Sequence, residues 1–530
     1  MESLAKRLGL RTDVTIFFWS AGIMVAFLLA LLVAKEPIGA FFGAARTWVV
    51  TNLGWFFIFG VTTWVVFLLW VALGRYGSIR LGGEDERPTY GNASWFAMLF
   101  AGGVGTVLMF WGVAEPIYHF SQPPHGEVQP FSVEASTDAM GFALYHLGLH
   151  TWSIFTLPGL AFAYFIYRHK LPVRFSSAFY PLIKDRIYGP IGKTLDIFAI
   201  VGTLFGVAVS IGLGTNQISA GLSELFGFDD NVGTKVIIIV LLTAVAVSSI
   251  VAGLDAGVKL LSNINILMAV GLMLFVLFAG STVFLLRSIV ETLGIYLSNI
   301  FPMSFWNDTL AQYTREDGGW GWQGSWTVFY WAWTVTWSPF VGIFVARISR
   351  GRTIREFVLG VMFAPSLFTL VWFSIFGWSA MQIAGIGGDG TGGGIVSAVQ
   401  ENVATAMFVF FEQFPATKLI NGIAILIVAI FFATSSDSAS LVVDMLCTGE
   451  EDPGPVRQRV FWGVSEGVLA MMLIVLAGQA GLDALQQVIT VIGLPVFILV
   501  FIMMFSLMKA LSKEDVGRVK VGPPPKLETL

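Results

Sequence analysis

The chain has 530 residues, 56% of them hydrophobic, 14% aromatic and 12% charged, and a mean hydropathy of +0.78, which excludes an ordinary soluble domain. A formal net charge of −4 with no long basic run excludes nucleic acid as a partner. The single cysteine, Cys447, excludes an internal disulfide framework and a cysteine-based metal site.

What remains is an all-α polytopic membrane protein whose surroundings are the lipid bilayer. Residues 1–13 are polar and basic, and the apolar run after them is long enough to span, so no cleavable signal is expected. Stretches apolar enough to cross roughly 30 Å of hydrocarbon run over 15–34, 53–74, 94–118, 138–167, 194–224, 234–254, 262–286, 326–347, 356–384, 416–446, 456–479 and 482–511, twelve in all. Basic residues fall on alternate connections: Lys6, Arg7 and Arg11; Arg75, Arg80 and Arg87; Arg168, Lys170, Arg174, Lys184 and Arg186; Arg347, Arg350, Arg352 and Arg355. The loops 121–137 and 385–394 between them carry almost none. Basic loops stay in the cytoplasm, so both termini are expected on the cytoplasmic side of the membrane.

In chain order, the first polar feature within a span is AGGVGT at 101–106. Glycine weakens a helix by about 1 kcal/mol per residue, and unwound backbone at bilayer depth is tolerated only where it is buried in protein or lines a cavity. A helix break is expected there, as a close crossing or a ligand site. His146 and His150 form an i, i+4 pair without an acidic third ligand on the same face, so packing or hydrogen bonding is expected rather than a metal. Residues 287–300 are too short and polar to cross; Ile289, Leu293, Tyr296 and Ile300 at helical spacing predict an amphipathic helix in the outer interface.

Residues 325–340 read SWTVFYWAWTVTWSPF, with Trp326, Tyr330, Trp333, Trp337 and Phe340 at i, i+4, i+7, i+11 and i+14. On one helix they form a stripe, either a lipid-facing or packing surface or a wall for a dehydrated cation at roughly 0.5–2 kcal/mol per contact. Ser338-Pro339 is expected to interrupt this span, because proline removes a backbone donor. Interruptions in the third and eighth spans, five apart, point to an inverted-repeat transporter with a midplane site. Residues 431–440, FFATSSDSAS, gather Thr434, Ser435, Ser436 and Ser438, hydroxyls that suit Na⁺ or bond back to their own turn. Asp196 and Asp437 are candidate intramembrane carboxylates. Residues 512–530, with Pro523, Pro524 and Pro525, read as a flexible tail. The chain divides into a tail (1–14), two peripheral spans (15–93), a first five-span unit (94–286), a linker (287–325), a second five-span unit (326–511) and the end tail (512–530). No nucleophile, base and orienter set, metal constellation or P-loop is present, which excludes an enzyme and leaves an ion gradient as the energy source.

The run SWTVFYWAW at 325–333, continued by TWSPFVGIFVARISRGRT to Thr353, closely resembles the signature of the betaine/choline/carnitine transporter family. LMFWGVAEP at 108–116, GLDAGVKLLSN at 253–263 and FFATSSDS at 431–438 fit the same family in the same order. The resemblance covers nearly the whole chain. It implies twelve spans, the last ten forming a LeuT-like five-plus-five inverted repeat, a homotrimer held partly through the amphipathic helix, and uptake of quaternary-ammonium zwitterions or cations, often with Na⁺. By motif position it implies an aromatic box of Trp152, Phe155, Trp333 and Trp337 faced by the 103–105 backbone (Gly103, Val104, Gly105). It implies a sodium site on the carbonyls of Ala101, Val104 and Phe431 and the hydroxyls of Thr434 and Ser435, and a second near Thr203 and Phe340, where Val207 replaces a hydroxyl residue. No cofactor and no other metal is implied. Leu147, Phe155 and Thr334 stand where relatives carry Trp, Tyr and Trp, so two rings and a phenol hydroxyl are missing, while Thr334 offers a hydroxyl to a carboxylate or sulfonate. Val107 stands where some proton-driven choline carriers keep aspartate, which argues against that coupling, and the short tail argues against strong osmotic gating. The expected activity is Na⁺-coupled symport by alternating access of a betaine, choline, carnitine or dimethylsulfoniopropionate-like onium compound. The alternatives are Na⁺-independent exchange, or symport of taurine, ectoine or an amino acid.

Overall fold

A computed structural model describes residues 1–101, 105–252, 258–310, 320–477 and 482–514. Its helices of ten residues or more are α1 (Val14–Val33), α2 (Lys35–Leu73), α3 (Asn92–Ala101), α4 (Gly105–Ser121), α5 (Val133–Leu147), α6 (Leu149–Phe162), α7 (Pro190–Phe226), α8 (Val232–Ala252), α9 (Val258–Ala279), α10 (Thr282–Phe305), α11 (Thr327–Ile348), α12 (Ile354–Ala384), α13 (Thr417–Thr448), α14 (Val456–Ala477) and α15 (Leu482–Leu511). Helix starts follow local chemistry. The Asp13 carboxylate accepts from the backbone of Thr15 and Ile16 and caps α1, and Thr353 with Glu356 forms a capping box at α12.

The basic loops meet at one end of the bundle. The Leu81 amide donates to the Arg352 carbonyl at 2.8 Å, Asp13 to Cys447 at 2.9 Å and Val173 to Gly449 at 3.0 Å. The weakly charged loops meet at the other: the Gly387 amide donates to the Phe131 carbonyl at 2.7 Å.

Twelve helical segments among the described residues are long and apolar enough to cross a membrane. The number matches the sequence reading, but the membership differs. The third span is described only on either side of residues 102–104, as α3 and α4, and so does not count among the twelve, which include Thr282–Phe305, read from sequence as a shorter polar piece. Counting from Arg287 omitted the apolar turn Val283–Leu286 and the apolar end at Phe301 and Phe305. Both ends of α10 nevertheless lie at the weakly charged end of the bundle: before it Phe275 meets Phe414 at 6.0 Å, and after it Trp306 meets His125 at 4.9 Å. The helix therefore runs along that end instead of crossing. Tyr296, placed by spacing on the apolar face, is buried against the bundle, while Val283, Leu286, Val290, Leu297 and Phe301 point outward.

A second correction concerns the eighth span. α11 runs unbroken through Ser338-Pro339; the proline leaves one carbonyl without a helix donor, and packing buried on every side holds the turns around it. The break falls instead at Trp326, between the short helix Trp320–Ser325 and α11.

Candidate substrate and ion site

The stripe on α11 faces protein, not lipid. Tyr330, Trp333, Trp337 and Phe340 are all buried, and Trp333 stacks on Phe329 and Tyr330 with centroids 5.6 and 6.4 Å away. Trp333 is fixed further by its indole N–H, which donates to Ser210 Oγ on α7 at 2.9 Å. Tyr330, Trp333, Thr334 and Trp337 line a pocket with Val107 of α4, Leu147 of α5, and Thr151 and Phe155 of α6. The space among them is only about 20 Å³, room for a single water, so the side chains are closed on one another. The indole N–H of Trp337 is buried without a partner, and Thr334 adds a hydroxyl to the same pocket. Trp152 packs edge-on against Phe155 at 5.5 Å and does not line the pocket.

The α6 side of the pocket is set by a break that the sequence reading did not foresee. The fourth span is split at Gly148 into α5 and α6. A Cβ on Gly148 would sit 2.7 Å from the Tyr296 hydroxyl. That hydroxyl accepts the freed amide of Leu149 at 2.9 Å, and the Thr151 hydroxyl donates to the His146 carbonyl. Backbone groups released at the break are thus satisfied by side chains, as burial requires.

In the third span the described residues of α3 end at Ala101 and those of α4 begin at Gly105; the break expected at 101–106, with Gly103 and Val104, lies outside the described residues. Gly105 presses on α13: a Cβ there would lie 1.9 Å from the Phe431 ring. One turn further along α13, Thr434 donates to the carbonyls of Ile430 and Phe431 at 2.9 and 3.1 Å, leaving its oxygen lone pairs free. Ser435 is half-buried beside it. Thr203 is fully buried with an unpartnered hydroxyl. It lies on α7 one turn from Gly206, which abuts Thr336 and Trp337, and Phe340 lies one turn beyond that contact on α11.

Three polar groups were missed or read differently. His146 does meet an acid, from a neighbouring helix: its Nδ1 is 2.7 Å from Glu115 Oε1 and its Nε2 2.9 Å from Thr327 Oγ1. The other Glu115 oxygen accepts from the Tyr330 hydroxyl at 2.7 Å, and His119 Nε2 lies 3.4 Å from Oε1. These groups tie α4, α5 and α11 together directly behind the pocket. The ligand atoms of Glu115, His119 and His146 fall within 4.8 Å of one another, close enough to share an ion. His150 pairs with Ser304 at 3.0 Å. The hydroxyl run on α13 also splits: Ser436 and Ser440 turn to Glu466 on α14 at 2.6 and 3.2 Å, and Asp437 accepts from Ser249 at 2.5 Å. Asp196 accepts from the Ser176 amide and hydroxyl at 2.8 and 3.0 Å, a structural role.

On the weakly charged side a cavity of about 670 Å³ reaches inward to Phe110, Trp111 and Trp326. Trp111 meets Tyr330 at 5.5 Å, so one layer of rings separates this vestibule from the pocket. A closed, ring-lined site below an open mouth suits capture of a small solute, not covalent chemistry.

Comparison with known proteins agrees. Residues 15–516 match the model of the betaine/carnitine/choline family transporters. The chain is 45% identical, over 97% of its length and 82% of the relative's, to the ectoine/glycine betaine/proline transporter EctP of Corynebacterium glutamicum. It is 41% identical to a glycine betaine transporter of Acinetobacter baylyi, over 94% of this chain and 73% of that one. It is 39% identical to the high-affinity choline transport protein of Escherichia coli K12, over 95% and 72%. The chain is therefore a multi-pass membrane transporter, not an enzyme, and belongs to the betaine/carnitine/choline transporter family.

Proposed function

We propose that this protein is a Na⁺-coupled symporter of a small onium zwitterion or cation, working by alternating access. The observation that carries the reading is the joint between α4, in the third span, and α13: Gly105 against Phe431, with Thr434 and Ser435 beside it. Na⁺ held by the carbonyls of Ala101, Val104 and Phe431 and the hydroxyls of Thr434 and Ser435 would close this joint. A ligand shifts a conformational equilibrium only by its differential affinity for the states, and an ion bridging two moving parts has that property. The cationic head of the cargo would lie against Trp333, Trp337, Tyr330 and Phe155, and its carboxylate would take the free donors of Trp337 and Thr334. A second Na⁺ at Thr203 and Phe340 belongs to the same scheme, as do a five-plus-five inverted repeat over spans three to twelve, a homotrimer, and an inner-membrane location with both termini cytoplasmic.

One observation favours a second cargo class. Leu147 and Thr334 replace ring surface with aliphatic and hydroxyl surface, and Val107 adds a further aliphatic wall, which suits a compact cyclic zwitterion. The Corynebacterium relative is named a transporter of ectoine and proline as well as glycine betaine. Thermal-shift titration with glycine betaine, choline, carnitine, dimethylsulfoniopropionate, ectoine, proline and taurine tests both. Stabilisation by onium compounds supports the main reading, stabilisation by ectoine or proline alone supports the second, and stabilisation by taurine alone overturns both.

A further inference from the structure

At the basic end of the bundle a cavity of about 570 Å³ opens beside the last turn of α15. Lys184, Lys509 and Lys513 line it, with His169, Tyr180 and Phe165 among the other residues of its wall. Among the described residues none of the three lysines has an ion-pair partner. Glu514, the one acid at the cavity, is engaged by Arg168 through Nε and Nη2 at 2.8 and 2.9 Å and by the Tyr164 hydroxyl at 2.8 Å. Three lysines without a carboxylate partner therefore converge on the cavity, Lys184 with its ammonium 5.5 Å from the Tyr180 ring centroid, and Phe165, Leu171, Pro181 and Ala510 give the wall an apolar part.

Its position defines the kind of anion. Lys509 lies two residues before the end of a membrane-length helix, at the water boundary of the bilayer. Below it the exposed residues Ile498, Ile502, Phe505 and Met508 recur at i, i+4, i+7 and i+10, one apolar face descending about 15 Å along α15. A free anion would use the lysines and leave that face idle, whereas a phospholipid uses both: its phosphodiester among the lysines, its acyl chains along the face. Basic pockets between spanning helices on the basic side hold such headgroups. We infer that this cavity is a binding site for one anionic phospholipid, joining the end of α15 to the loop that carries Lys184.

The test uses the full chain in nanodiscs containing phosphatidylcholine with and without phosphatidylglycerol, and native mass spectrometry of the lipid that survives delipidation. Wild type is expected to retain phosphatidylglycerol over phosphatidylcholine, with a preference that weakens as salt is raised. K184Q/K509Q/K513Q should lower that preference at least tenfold, since a basic residue near an anionic surface contributes about fivefold. K418Q, distant from the cavity, should leave it unchanged. Equal retention of the two lipids, a preference indifferent to salt, or an unchanged triple variant would overturn the site. If glycerol 1-phosphate in detergent raises the melting temperature as much as phosphatidylglycerol does, the site takes a soluble phosphate and the lipid assignment is wrong. The salt series on wild type keeps the question decidable even where the triple variant does not fold.

Discussion

Replacing Gly105 by alanine adds one methyl group at the joint proposed to hold Na⁺. Its Cβ would lie 1.9, 2.0 and 2.3 Å from Cε1, Cζ and Cδ1 of Phe431, where an ordinary contact needs about 3.5–4 Å. Phe431 is only 4% exposed, so its ring cannot turn into solvent, and α4 or α13 must shift by more than an ångström. Overpacking of this kind costs typically about 1–3 kcal/mol, which outweighs the roughly 1 kcal/mol that alanine gains over glycine in a helix. Gly105→Ala should therefore lower the melting temperature. It should also weaken Na⁺ by at least tenfold, with a smaller loss of cargo affinity at saturating Na⁺, because Val107 of α4 lines the pocket but its rings stand on α6 and α11. Gly271→Ala is the control: nothing lies within 4 Å of its added Cβ, so it should stabilise slightly. The assay is cargo-induced tryptophan fluorescence across a Na⁺ titration, paired with thermal unfolding. A Gly105→Ala protein with a wild-type Na⁺ midpoint would refute the placement of the ion at this contact.

Tyr296→Phe removes the oxygen that accepts the Leu149 amide at 2.9 Å, leaving a buried donor unsatisfied at about 1–3 kcal/mol; the melting temperature should fall, and an unchanged one would contradict the account of the Gly148 break. Thr334→Val keeps the shape and removes the hydroxyl, so affinity for a carboxylate-bearing betaine should drop by about 1.5 kcal/mol, or tenfold, with choline unaffected in the same binding assay. In the loop after α4, burial works against the charge on His125, but the Asp138 carboxylate at 2.6 Å outweighs it and raises the imidazole above its ordinary value. A raised cation contributes stability fully below the unfolded value near 6.5 and loses it as pH climbs through the folded one. Amide protection factors across 121–131, exchange rates corrected for their intrinsic rise with pH, should therefore fall from pH 6 to pH 8, and Asp138→Asn should abolish that fall.

Hydropathy made the spans legible because each must be apolar over its full length, and loop charge made the two ends legible because basic loops cluster at one of them. The stripe from Trp326 to Phe340 was visible for the same periodic reason. Its burial was not, since a ring facing lipid and a ring facing a pocket have identical spacing. Gly148 escaped notice because a single glycine carries little signal; what fixes the break is Tyr296, distant in sequence. Ser338-Pro339 misled in the opposite direction, a local breaker overruled by packing. Glu115 was overlooked because its partners His146 and Tyr330 come from other helices, and spacing rules detect only ligands on one face. The hydroxyl run on α13 was found, but that Ser436 and Ser440 turn away from Thr434 follows from Glu466 on α14, which no local pattern announces.

The coupling of cargo to ion at the α4–α13 joint is tested most directly by uptake into proteoliposomes with and without an inward Na⁺ gradient, for wild type and Thr434→Ala/Ser435→Ala. The account predicts concentrative uptake by wild type only with the gradient, and loss of that accumulation in the double variant while cargo still binds at high Na⁺. Uptake indifferent to Na⁺, or a double variant that accumulates cargo as wild type does, would contradict it.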